Sequence, residues 1–204
     1  FRFGRWALLL LLPMSWTAGG SAQDNPAKDT LIVESLIRLK RYDVTENEKW
    51  KASVLRHLET VSGTQRFVHL SELFAIQESV PMLFKLTASK SNETLGVQAG
   101  TALLNMGESE LLIKTIHGKN DAEALAVVEV LGQTGHPKVN AILKPLVAEN
   151  KHSRQLRNMA AIGLTKTIQG QKYLLQLVVD NRLPQDLNFA VGNALYSSAD
   201  PAIR

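Results

Sequence analysis

Apolar residues return at every third or fourth position in short runs, each closed by a polar or glycine-bearing break, which is the spacing of amphipathic helices. Asp29 is the expected cap of a first helix running to Arg41, with Leu31, Ile32, Leu36 and Leu39 on one face. Asn47 opens a second, carrying Trp50, Val54, Leu58 and Val61. Ser62 and Gly63 end it, and Thr64 opens a third with Phe67, Leu70, Leu73 and Phe74. Ser79, with Pro81 in the first turn, caps a fourth, and Asn92 caps a fifth that Gly107 closes. Short helices are then predicted at about 108–117, 138–149 and 170–181. Each precedes a second helix, at about 121–133, 153–168 and 185–197, with Gly118, Gly135 and Gly170 at the breaks. Pro145 lies inside the 138–149 segment, where a bend is preferred to a stop at Lys144. No alternating stretch is long enough for a strand, so the prediction is about eleven helices and no sheet.

A small-x-x-small-Leu unit recurs on these helices: Ala99-x-x-Ala102-Leu103, Val127-x-x-Val130-Leu131, Ala160-x-x-Gly163-Leu164 and Val191-x-x-Ala194-Leu195, at intervals of 28, 33 and 31 residues. Slim side chains one turn apart let a neighbouring backbone come close, and the Leu fills the gap beside them. Recurrence near 30 residues implies stacked helix pairs, none able to bury its apolar face alone. Leu156-Arg157-x-x-Ala160-x-x-Gly163-Leu164 resembles the second helix of a HEAT repeat, an aliphatic-Arg pair followed by small residues and Leu. Gly96, Ala124 and Asn188 hold the Arg position in the other units, and armadillo-like or other α-α arrays fit them too. The resemblance implies an all-α right-handed superhelix, irregular over 29–78 and more regular over 79–197. Residues 200–204 then read as the start of a further helix.

The first 22 residues read as a secretory signal: Arg2 and Arg5, the apolar run Trp6 to Leu12, Pro13, then Gly20-Ser21-Ala22 before Gln23. An uncleaved anchor is the alternative, disfavoured because the run is far short of the roughly 20 residues that span a bilayer. Residues 23–28 are a short linker. Opening on Phe, the chain is expected to lack a few starting residues. An exported, periplasmic or extracellular location follows. Loss of Arg2 and Arg5 lowers the formal charge from +4 to +2, so the basic excess is small. With no Cys there are no disulfides and no thiolate metal site, and stability rests on packing.

The arrangement is also similar to a family of exported bacterial proteins that join HEAT-like repeats to a C-terminal c-type haem domain. The likeness lies in residues 33–39, 52–58, 193–198 and 200–204, which include Val33-Glu34-Ser35-Leu36 and Asn193-Ala194-Leu195-Tyr196. It implies a haem-bearing domain beyond Arg204, with this region as its scaffold. No Cys-x-x-Cys-His motif occurs here, so no cofactor is expected within these residues.

No catalytic constellation is visible. His57, His69, His117, His136 and His152 include no pair at i,i+3 or i,i+4, so they are read as helix-end and surface residues, His136 at a helix start. No Gly-x-Ser-x-Gly elbow occurs, and Gly132-Gln133-Thr134-Gly135 follows a helix and reads as a turn rather than a phosphate loop. Glu108 with Glu110, and Asp121 with Glu123, lie at helix starts where negative charge suits the dipole. Arg38-Leu39-Lys40-Arg41 sits at a helix C-terminus and is too narrow for a nucleic-acid surface, and an exported, nearly neutral chain argues against a helical-repeat DNA-repair enzyme. Trp50, Phe67, Phe74 and Phe84 are expected in the core. Arg157 is expected to join a ladder between units rather than grip an anion with Arg154.

What remains is a non-enzymatic array whose second-row helices present a concave surface to a protein, or to the missing domain of the same polypeptide. Neither nucleic acid nor a membrane span is expected. The candidate contact residues are Gln98, Asn105, Arg154, Arg157, Asn158, Asn188 and Asn193.

Overall fold

The computed structural model describes residues 25–91, 93–149 and 151–203. The expected signal segment and the Asn92 cap lie outside the described residues. Among the described residues eleven α-helices follow one another: α1 Pro26–Arg38, α2 Glu48–Thr60, α3 Gln65–Leu73, α4 Val80–Ser89, α5 Thr94–Asn105, α6 Ser109–Ile116, α7 Asp121–Thr134, α8 Val139–Ala148, α9 Arg154–Leu164, α10 Ile168–Val179 and α11 Asn188–Tyr196. Short 3-10 turns at Gln77–Ser79 and Gln185–Leu187 lead into α4 and α11, and no strand occurs among the described residues.

Most starts and stops fall where the local chemistry requires. Asn47, Thr64, Asn120, Ser153 and Thr167 each accept a backbone N–H from the first turn of the following helix. Several expectations shift, and α1 ends at Arg38 with Leu39 as its C-cap rather than running to Arg41. The cap of α1 is Asn25, with Pro26 at the first position, because Asp29 is buried inside the first turn by an ion pair. The Ser79 hydroxyl donates to the Ile76 carbonyl at 2.6 Å and does not cap α4. Gly132-Gln133-Thr134 is the last turn of α7, and only Gly135 (φ 63°) leaves the helix. The helix α8 continues through Pro145 to Ala148. Ala141, whose carbonyl the proline leaves without its helical donor, is exposed, so water can serve it.

The helices pack in two interleaved series. α3 lies on α5, α5 on α7, α7 on α9 and α9 on α11, while α4, α6, α8 and α10 cover that row. The recurrent small-residue unit lies at the row's contacts: Ala99, Ala102, Val127, Val130, Ala160 and Val191 are fully buried. The approach of α7 to α9 uses glycines. A Cβ on Gly132 would sit 2.8 Å from the Cα of Gly163, and one on Gly163 equally close to Gly132. Gly170, expected at a break, is the third residue of α10. Any side chain there would strike the Leu164 carbonyl at 2.1 Å, and Gly96 stands likewise over Lys90 at the start of α5.

Polar side chains tie the units together at a nearly constant sequence interval. Arg56 donates to both carboxylate oxygens of buried Asp29 at 2.7 and 2.8 Å, 27 residues away. Arg66 pairs with Glu34 and Lys51 with Glu78. Thr167 donates to buried Asn140 and Ser198 to Gln171, both 27 residues apart. Lys138 reaches the Leu104 carbonyl 34 residues back, and Arg157 reaches Asp186 29 residues on.

Candidate protein-binding surface

Each row helix leaves one stripe in solvent. On α5 it is Thr94, Gln98, Thr101 and Asn105; on α7, Ala122, Ala126, Glu129 and Gln133; on α9, Gln155, Asn158 and Ile162. On α11 it is Phe189, Asn193 and Tyr196, opposite the buried Leu187, Val191 and Leu195. Spacings of three and four put each set on one helix face.

Two grooves separate neighbouring row helices. The one between α3 and α5, about 370 Å³, is lined by Gln65, His69, Glu72, Gln98 and Thr101 among others. The one between α9 and α11, about 510 Å³, is lined by Arg154, Gln155, Asn158, Asp186, Phe189 and Ala190.

The seven candidate residues divide by what holds them. Gln98 lines the first groove, while Arg154 and Asn158 line the second, with Arg154 77% exposed. Asn188 and Asn193 are exposed on α11. Arg157 is only 12% exposed and donates to Asp186 at 2.8 Å, with Arg154 a further 1 Å off at 3.8 Å. Its charge thus faces an acid of the following unit rather than solvent. Asn105, though exposed, is a strut: its amide donates to Glu72 at 2.7 Å and its carbonyl lies 3.1 Å from His136 Nε2. His136 Nδ1 accepts the Lys138 N–H, which leaves Nε2 to donate to Asn105.

Sequence reasoning ranked polar positions and passed over Phe189 and Tyr196, which are 82% and 76% exposed. The signal was present, because two aromatics seven residues apart fall opposite the Leu187, Val191 and Leu195 face.

The histidines are more varied than helix ends and surfaces. His57 is buried on α2, with Nδ1 3.3 Å from the Thr30 hydroxyl, and burial lowers its pKa against the opposing pull of Glu34 and Asp29. His117 and His152 meet across 35 positions, with ring centroids 5.1 Å apart. They line a cleft of about 480 Å³ with Ile116, Asp121, Lys151 and Leu156. Burial also lowers the His152 pKa, helped by His117 and Lys151. Among the described residues no group of three or more His, Cys, Asp or Glu side chains is placed to hold a metal ion.

No family model matches the chain, and neither a curated protein nor a solved structure does. No helix among the described residues is long and apolar enough to cross a membrane.

Proposed function

We propose that the helices form a right-handed HEAT-like solenoid that acts as a scaffold rather than a catalyst, and that the exposed stripes of the row helices bind a protein. The observation that carries the binding surface is the Phe189–Asn193–Tyr196 stripe beside the Arg154–Asn158 groove. Exposed aromatics with an Arg at their edge are the residues that dominate protein interfaces. Three features support the solenoid: the row of contacts from α3 to α11, the Gly132–Gly163 approach, and struts joining residues about 30 apart.

The full chain, immobilised and challenged with an extract of exported proteins, should retain a partner that Phe189→Ser/Tyr196→Ser loses and that a distant surface change, Glu110→Gln, keeps. Equal retention by the aromatic double variant overturns the surface. Small-angle scattering tests the shape independently. A compact ball of this length has a radius of gyration of about 17 Å, and a value no larger ends the solenoid reading.

A further inference from the structure

We propose that α1 and the turn after it dock onto an anionic bilayer surface. Asp29, Val33 and Leu36 face inward from α1, while Lys28, Leu31, Ser35 and Leu39 share its outer stripe. Leu31 is 69% exposed and Leu39 65%, a high exposure for two large aliphatic side chains on one face. Between this stripe and Trp50 lies a groove of about 290 Å³, with Lys28 and Arg41 at its rim. Arg41 sits 5.7 Å from the centre of the Trp50 ring, so a cation and an interfacial aromatic share one edge.

Charge selects the occupant. Lys28, Arg38, Lys40 and Arg41 surround the apolar stripe, and none makes an ion pair among the described residues. The neighbouring acids are engaged elsewhere: Asp29 is buried against Arg56, Glu34 pairs with Arg66, and Asp43 accepts from Thr45. Among the described residues Asp43, Glu46 and Glu48 are the exposed acids nearby that pair with no cation. Four cations without an ion pair, around protruding leucines and a tryptophan, match the requirements of a helix lying in an anionic interface.

The α1 helix has 13 residues, about 20 Å at the α-helical rise, too short to span a bilayer of about 30 Å, so it lies flat.

The test is co-sedimentation of the full chain with vesicles of phosphatidylcholine, with and without phosphatidylglycerol. The chain should bind the anionic vesicles at low salt and release as salt rises. Lys40→Glu/Arg41→Glu and Leu31→Ser/Leu39→Ser should each bind at least about tenfold more weakly, with unchanged helical circular dichroism. The residues before α1 are identical in every protein, so the difference reports on this face alone. Equal binding by both variants assigns attachment to the preceding run and overturns the proposal. So does failure of the parent to bind. A dimer seen by light scattering and abolished by Leu31→Ser/Leu39→Ser, without vesicle binding, replaces the membrane with a second copy.

Discussion

Replacing Gly163 with Ala places a methyl group in the close glycine-to-glycine contact of α7 and α9. Its Cβ would lie 2.8 Å from the Gly132 Cα and 2.8 Å from Leu143 Cδ1. Carbon atoms rest at about 3.5–4.0 Å, so α9 and α7 must part by about 1 Å. The Leu143 side chain can turn away, but the Gly132 backbone cannot. Taken alone, Ala favours the helix over Gly by about 1 kcal/mol. Overpacking a buried contact costs about 1–3 kcal/mol, and an immovable backbone places this site at the upper end. The net expectation is a loss of about 1–2 kcal/mol. At a urea slope of about 2 kcal/mol per molar, the midpoint followed by circular dichroism falls by about 0.5–1 M. Gly192→Ala is the matched control, since it lies within α11 with nothing inside 4 Å of the added carbon. It should raise the midpoint. If Gly163→Ala also matches or exceeds the parent, the close approach of α7 and α9 is not a determinant of stability.

Asp29→Asn keeps the shape but removes the charge that anchors two Arg56 hydrogen bonds. It should cost about 1–3 kcal/mol, less than a fully buried pair because Arg56 stays partly exposed. The Arg56 hydrogen bond holds the Asp29 carboxyl below its usual range, so this stabilisation is present above pH 4 or so and fades as pH falls through the folded value. Parent and variant should therefore converge in acid, and a constant gap would count against it. Burial lowers both His57 and His152, so the unfolded chain takes protons first and stability drops as pH falls below about 6.5. His117, Lys151 and Arg157 further oppose charge on His152, with Glu149 favouring it. The urea midpoint should be lower at about pH 5.5 than at about pH 7.5, and His57→Gln/His152→Gln should shrink that difference. A gap unchanged by the double variant refutes the assignment.

Helix number and order were readable because they depend on local periodicity and caps. Leu156, Ala160, Gly163 and Leu164 form one buried face whichever partner covers them. What escaped the sequence depends on residues far apart in it. Asp29 resembles a cap until Arg56 is seen to hold it inside the first turn. Gly170 resembles a break because its reason, the Leu164 carbonyl, is an inter-helix contact. The His117–His152 encounter spans 35 positions and follows no single-helix spacing. On the candidate surface the polar residues were legible as exposed, but not which of them, such as Asn105 and Arg157, the next unit would engage.

The principal helix contacts reach no further than three elements along the chain. A chain built this way need not wait for its ends to find each other: any adjoining pair can nucleate, and growth can proceed outward in both directions.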